Sequence, residues 1–423
     1  MRTAEFKWGD ISQRQRTILS WWTNNSPFAD FNGIIADGAI RSGKTTVMAF
    51  SFVLWGMETF NNQNFALCGK TVGSLRRNVV SILKRQLSAR GYFVQDKRSE
   101  NLLIVTKAKT QNYFYVFGGK DESSQDLIQG ITLAGCFFDE VALMPQSFVN
   151  QATARCSVDG SKFWFNCNPS SPQHWFYCDW IKNCKRRKML YLHFTMYDNL
   201  TLSAQIRERY EAQYAGVFYQ RYILGLWVMA EGLIFDMFDR KVHVCKDIET
   251  EGEYFVSADF GIQNATVFLL WRKEKGSDRW VCLREYYYSG RDNKIQKTVE
   301  ELAEGFKSIL PVDHYGAVIK PKQTIIDPSA AALIAQLRKE GFHVVPAIND
   351  VLDGISNVST MLHQGRLLID DSCKNTINEF GVYAWDAKSA ERGLDQPIKV
   401  NDHAMDAIRY FVRTRHLVAK SGK

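Results

Sequence analysis

Short apolar runs punctuate the first part of the chain. GIIAD at 33–37 predicts a strand, as do the apolar residues of ITLAGCFFDE at 131–140 and of KFWFNC at 162–167. The first run passes through a glycine-bearing loop into TVMAFSFVLWGMETF at 46–60, whose length and apolar content predict a packed helix. Near residue 230 the pattern changes. RYILGLWVMAEGLIFDMF closes a first unit, and the polar stretch KVHVCKDIETEGE leads into EYFVSADFG, TVFLLW and WVCLREYYY, three consecutive β-like runs. A helix-like segment, the strand QTIIDPSA at 323–330 and the helix NDHAMDAIRYFV at 401–412 follow. A chain of 423 residues exceeds what one core ordinarily supports, so the break divides it into domains at 1–228 and 229–423.

Composition narrows the class. Hydrophobic residues at 45% and charged residues at 23% are the balance of a globular protein. Neither an uninterrupted apolar span nor an N-terminal signal core is present, which points to the cytoplasm. The nine cysteines are scattered singly, several within apolar runs, as reduced buried thiols are. His174, Cys178 and Cys184 with Cys167 upstream have irregular spacing for a zinc set and read better as packing. The net charge of +8 permits a polyanionic partner without proving one.

GAIRSGKT from Gly38 to Thr45 matches G-x-x-x-x-G-K-[ST], with a strand before it and a helix after it. Glycines in this pattern let backbone N–H groups close around phosphate oxygens. Gly38, Ser42, Gly43, Lys44, Thr45 and Thr46 are therefore the candidate nucleotide cradle, with Lys44 reaching the terminal phosphates and the Thr45 hydroxyl facing magnesium. Turnover also needs an acidic site, and the strand at 131–140 ends in Asp139, placed to hold the metal, and Glu140, placed to polarise water. Arg41 is either a phosphate-reaching guanidinium or a surface arginine. Asn166, ahead of Cys167, Asn168 and Pro169, either senses the terminal phosphate or opens an Asn-Pro turn. Gln15, at the start of SQRQRTILSWW, can pair with adenine through its amide, or simply be an exposed helix-start residue.

In the second half, two strands end in carboxylates, Asp259 and Asp327. The last predicted helix adds His403 and Asp406, three apart on one face, with Asp402 or Asn401 as its cap. Strand, strand, strand, helix, strand, helix and a final acid-bearing helix is the order of an RNase H-like sheet, which brings Asp259, Asp327 and Asp406 to one edge. Clustered carboxylates want cations, and oxygen ligands with room for water select Mg2+ or Mn2+. His403 completes a second metal position or holds a phosphate. Taken singly, Asp327 before proline is an ordinary turn opener and Asp406 a helix-surface charge.

GAIRSGKT, GGKDESSQDLIQGITLAGCFFDEVALMPQSF, FNCNPSSPQHWF and NDHAMDAIRY resemble the large terminase subunits of tailed phages and prophages, over nearly the whole chain. The likeness is greatest to the branch found in prophages of Gram-positive bacteria. It implies an α/β protein with an N-terminal P-loop ATPase on a mainly parallel sheet and a C-terminal RNase H-like nuclease. It further implies that Gly38–Thr45 is Walker A, that Asp139 and Glu140 are Walker B, that the Asn166 region is the coupling motif, and that Gln15 contacts adenine. The coupling motif departs from the hydroxyl-rich form of some relatives.

The expected function is ATP-driven pumping of double-stranded DNA into an empty capsid, with metal-dependent cutting of concatemeric DNA. Such a pump meets every sequence, so it grips phosphates. KNCKRRK from Lys182 to Lys188 is the densest basic run, with Arg76 and Arg77, and Lys320 and Lys322, as others, and each can equally be a solvated face. The resemblance also implies a pentameric ring on the portal protein, help from a small terminase subunit, and transient docking from the host cytoplasm. The free chain can be a monomer. Competing readings are a helicase or remodelling ATPase with an inactive C-terminal domain, and a DNA-binding scaffold with a decayed ATPase.

Overall fold

The computed structural model describes residues 9–261, 265–290 and 295–418. Its contacts divide the chain into two units. The first comprises Met1–Arg209, Tyr219–Met229 and Glu391–Leu394, and the second comprises Tyr210–Phe218, Ala230–Ala390 and Asp395–Lys423.

The first unit contains β1 (Gly33–Gly38), β2 (Asn64–Gly69), β3 (Phe93–Lys97), β4 (Leu102–Lys107), β5 (Thr110–Gly118), β6 (Gly135–Phe138), β7 (Lys162–Asn166) and β8 (Met189–Phe194). They form one sheet in the order β3-β4-β5-β2-β6-β7-β1-β8. From β5 to β8 every pairing is parallel, and only the β3-β4-β5 edge is antiparallel. The central strands are apolar at consecutive positions because both faces are covered, and alternate side chains serve opposite layers. Ile34, Phe137 and Trp164 join the layer under the helix Lys44–Thr59, where Trp55 lies 4.8 Å from Trp164 between ring centroids. Ile35, Phe138 and Phe165 enter the opposite layer with Phe148, Phe176 and Trp180. Because β7 lies between β1 and β6, the ends of all three strands meet at one edge of the sheet.

In the second unit lie β9 (Val244–Cys245), β10 (Thr250–Asp259), β11 (Ala265–Glu274), β12 (Trp280–Ser289), β13 (Gln323–Ile326), β14 (Val344–Pro346) and β15 (Leu367–Asp370). Their order is β14-β13-β10-β11-β12-β15-β9. The three long strands form an antiparallel meander, and β13 joins β10 in parallel with Ala258 opposite Ile326. Asp259 and Asp327 consequently follow at matching heights on neighbouring strand ends. One face is packed by Phe306 and Leu333 from helices Val299–Ser308 and Ala331–Lys339. The other carries helix His403–Thr414, anchored by Phe411, whose ring stacks 4.4 Å from Trp271 and lies 5.2 Å from Trp280. No helix among the described residues is long and apolar enough to cross a membrane.

Candidate functional sites

At the β1 edge, the loop into helix Lys44–Thr59 bends through Gly38 (φ 123°), Arg41 (φ 55°) and Gly43 (φ 81°). Glycine is required at both ends. A Cβ on Gly38 would lie 1.9 Å from the Phe194 carbonyl oxygen, and one on Gly43 would lie 2.5 Å from Gln15 Nε2. Lys44 is buried, and its Nζ donates to the carbonyls of Gly38 (3.0 Å) and Ala39 (2.9 Å) and to Asn168 Oδ1 (2.9 Å). Burial pushes its pKa down to about 8, against the pull of nearby acidic groups. Ser42 Oγ is buried with no hydrogen-bond partner, an orphaned polar atom inside the loop. Inward-curling backbone, a buried ammonium and an orphaned hydroxyl fit a phosphate chain.

Asn166, ending β7 between the P-loop strand and the Asp139 strand, joins these elements. Its Nδ2 donates to Asp139 Oδ1 at 3.0 Å and to Thr45 Oγ1 at 3.4 Å, while its Oδ1 accepts the Glu140 N–H at 3.0 Å. Glu140 stands in the left-handed region at φ 58°. Burial pushes the Asp139 pKa up to about 7, with Glu140 adding repulsion and the Asn166 and Thr45 hydrogen bonds opposing it. A buried, reluctantly ionised carboxylate beside a hydroxyl fits a magnesium ion. The Asn166 amide thus bonds Thr45, Asp139 and Glu140 at once. Thr46 continues the first helical turn, half-buried.

Gln15 is buried, not exposed, and its Oε1 accepts the Ser12 N–H at 3.0 Å in a capping box of helix Gln13–Ser20. Its Nε2 faces Gly43, which puts the amide against the phosphate loop. Arg41 is exposed, with its carbonyl accepting Asn199 Nδ2 at 2.7 Å. Sequence reasoning missed Asp37. It is fully buried just before the loop, where it accepts Tyr191 Oη (3.0 Å) and Trp227 Nε1 (2.6 Å) and lies 3.0 Å from His193 Nδ1. An acid closing the apolar run GIIAD, immediately before the P-loop, was the available signal.

In the second unit, Asp259, Tyr287, Ser289, Lys399, Asp402, His403 and Asp406 line part of a cavity of about 350 Å³. His403 Nδ1 lies 2.8 Å from Asp259 Oδ2. Asp406 accepts Lys399 Nζ at 3.1 Å on one oxygen and the Arg409 guanidinium at 2.5 and 3.1 Å on the other. Burial raises the Asp259 pKa, reinforced by Asp406 and offset by His403. Burial works against charge on His403, but the Asp259 hydrogen bond and nearby carboxylates outweigh it and raise the pKa.

Asp327 stands beside this group, close enough that Asp406, Asp259 and Asp327 all act on the Tyr410 hydroxyl. It follows β13 at the level of Asp259, yet it does not line the cavity. Its oxygens accept the Ser329 N–H (2.9 Å) and Asn349 Nδ2 (3.0 Å), and these bonds with one from Tyr410 overcome partial burial to lower its pKa. Among the described residues no group of three or more His, Cys, Asp or Glu side chains is arranged to hold a metal ion together. The donor set around the cavity still fits a divalent cation. Asp259, Asp402 and Asp406 line one space, and Lys399 and Arg409 supply neutralising charge. Lys399, Arg409 and Tyr410 lie close to Asp406 in the chain but were not singled out from sequence, since a lysine, an arginine and a tyrosine on a helix and its leading segment carry no distinctive spacing.

Several basic candidates are already partnered. Arg187 donates to the Asp179 carbonyl at 2.8 Å and stacks on Trp180, and Arg76 pairs with Asp96 at 2.8 Å. Lys322 pairs with Glu253 at 2.5 Å, and Lys320 contacts the Glu340 carbonyl at 3.2 Å. Cys178 contacts the Pro172 carbonyl at 3.4 Å and His174 Nδ1 accepts the Phe176 N–H at 3.2 Å, both local packing bonds.

Residues 35–242 match the family described as terminase large subunit, T4likevirus-type, N-terminal, and residues 278–414 match the terminase RNAseH like domain. The structure of a large terminase from a thermophilic bacteriophage is 55% identical over 96% of this chain and 99% of that chain, with a TM-score of 0.87. The same terminase in complex with ATP-gamma-S aligns at 53% identity, with a TM-score of 0.84 and coverage of 96% and 99%. A terminase large subunit from Escherichia phage T5 is 27% identical over 197 residues, 43% of this chain and 42% of that protein. The alignment thus spans about two fifths of that curated relative's length.

Proposed function

The chain belongs to the large terminase family, and from that premise we propose that it hydrolyses ATP to drive double-stranded DNA into a procapsid and cuts concatemeric DNA with Mg2+ or Mn2+. The observation that carries this reading is the pairing, on one chain, of the Asn166-centred phosphate site with the carboxylate cavity around Asp259 and Asp406.

At the first site, bound ATP with magnesium supplies the phosphoanhydride to be hydrolysed. Backbone N–H groups from Gly38 to Thr45 would surround its phosphates, and Lys44, now on the loop carbonyls, would turn to phosphate oxygens. Thr45 and Asp139 would hold the metal, and Glu140, fixed through its own N–H by Asn166, would orient the attacking water. Gln15, against Gly43, would meet the nucleotide from the leading helix, and Arg41, exposed in the loop, would reach toward its phosphates. That a related terminase was solved with ATP-gamma-S supports the nucleotide assignment.

At the second site, one or two divalent cations would activate water and steady the leaving oxygen of a phosphodiester. Asp259, Asp406 and His403 would hold them, with Asp327 contributing from the neighbouring strand. Lys399 and Arg409 balance charge where a DNA phosphate would enter. Domains at 1–228 and 229–423 would house the two activities. The portal protein, a small terminase subunit and a five-membered ring are the proposed partners, in the host cytoplasm.

The test is to measure phosphate release with and without duplex DNA, and conversion of supercoiled plasmid with Mn2+, on the same preparation. ATP turnover without any cutting would favour a remodelling ATPase with an inactive second domain, and neither activity would favour a DNA-binding scaffold.

A further inference from the structure

Helix His403–Thr414 carries His403 and Asp406 in its first turn, so its starting point decides where both side chains stand. Its N-cap residue, Asp402, makes no side-chain capping hydrogen bond. The exposed N–H groups of such a turn need an acceptor. Here it comes from elsewhere in the chain. Glu379 is buried, and its Oε2 accepts the N–H groups of Ala404 (2.8 Å) and Met405 (3.2 Å), the two residues between His403 and Asp406. Its Oε1 accepts the Tyr287 hydroxyl at 2.8 Å.

The carboxylate is itself held in a frame. Glu379 belongs to helix Lys374–Phe380, whose start is bound by Glu285 of β12, which accepts the N–H groups of Asn375 (2.8 Å) and Thr376 (2.9 Å). Glu285 and Tyr287 are two apart on one strand, so they share a face. One strand thus fixes both the helix that carries Glu379 and the carboxylate at its end.

We propose that Glu379 is a positioning residue of the nuclease site: held by Tyr287, its carboxylate caps helix His403–Thr414 and sets the height and rotation at which His403 and Asp406 meet Asp259. This rests on the nuclease reading above. Partners that orient metal-holding side chains typically affect metal affinity or activity by about 10- to 100-fold.

The experiment compares the full chain with Glu379→Ala, Glu379→Gln and Glu379→Asp, measuring Mn2+ binding by calorimetry and plasmid cleavage against Mn2+ concentration. ATPase activity and thermal melting report folding. Glu379→Ala should raise the Mn2+ needed for half-saturation by about tenfold or more, with the KM for DNA held within about twofold. Glu379→Gln, whose amide oxygen can accept both N–H groups, should stay within about threefold of the parent. If the alanine variant does not fold, Glu379→Asp, which keeps the charge and shortens the reach, should show a shift of several-fold. A lowered melting temperature with an unchanged Mn2+ isotherm in the folded variants would make the role purely structural and overturn the inference. If the parent chain binds no Mn2+, the nuclease reading fails and takes this inference with it.

Discussion

Asn166 Nδ2 stands 3.0 Å from Asp139 Oδ1, a contact between adjacent strand ends that ties the acid of one motif to the hydroxyl of another through a single amide. Removing that amide leaves Asp139 buried with one partner fewer and releases the Glu140 backbone. Asn166→Ala is expected to lower ATP turnover by about 10- to 100-fold while the protein still folds. Phosphate-release kinetics with nucleotide binding measured in parallel would check this. Turnover at the parent rate would sink the assigned role.

Lys44 and Glu140 should separate binding from turnover. Lys44→Ala removes the buried cation, so nucleotide affinity should collapse by about 100-fold or more, whereas Glu140→Gln should still bind but turn over at about one hundredth of the parent rate or less. Titration of a fluorescent ATP analogue distinguishes them. Equal loss of affinity in both would mean that Glu140 serves binding and not the water.

Asp259→Ala and Asp406→Asn should each reduce Mn2+-dependent plasmid cleavage by about a thousandfold and leave ATP hydrolysis intact. Asp327→Ala is the more telling variant, since its side chain is turned toward Ser329 and Asn349. Cleavage by Asp327→Ala should fall by about 100-fold or more if the carboxylate swings in to hold a cation. An unchanged cleavage rate would confine the chemistry to the Asp259 and Asp406 side.

Burial pushes the Glu379 carboxyl up to about 7 from an ordinary 4.5, despite the Tyr287 hydroxyl and two backbone N–H groups that favour its charged form. The folded chain therefore holds this proton more tightly than the unfolded chain. Its stabilising contribution is complete below about pH 4.5 and is lost as pH rises through about 7. The melting temperature of the parent minus that of Glu379→Gln should accordingly fall between pH 5 and 8, which scanning calorimetry in matched buffers can follow. A difference independent of pH would show that Glu379 ionises normally.

Phe411 is fully buried between Trp271 and Trp280 on the back of the site-bearing helix. Phe411→Ala should cost about 3–5 kcal/mol, because the rigid indoles cannot close over the cavity. Denaturant unfolding followed by tryptophan fluorescence would measure it, and a loss under about 1 kcal/mol would mean the sheet relaxes into the gap.

The chain's local patterns carried much of this architecture. The strand, loop and helix around GAIRSGKT appear as β1, the bent loop and helix Lys44–Thr59, and the three β-like runs after residue 250 appear as β10, β11 and β12. The P-loop was legible because phosphate binding by successive backbone N–H groups needs glycines and a lysine within eight consecutive positions. Asp139, Asp259 and Asp327 were legible for a similar reason, as each ends an apolar run.

Tertiary structure decided what depends on contacts between distant segments. Which strands lie beside β1 is not written in any one of them, and the insertion of β7 between β1 and β6 is what lets Asn166, left by the sequence between phosphate sensor and turn opener, bond Thr45, Asp139 and Glu140. Whether Gln15 is an exposed helix-start residue or an amide turned inward is decided only when it is buried against the P-loop. That Asp327, the third acid at this edge, bonds Ser329 and Asn349 is likewise visible only in the fold. Glu379 has no sequence signature at all, because a carboxylate that accepts a helix N–H 25 positions onward is recognisable only once the chain has brought them together. Hydrophobic period and glycine placement act over a few residues and so are visible locally, whereas hydrogen bonding and desolvation of a buried polar group depend on whichever atoms folding places around it.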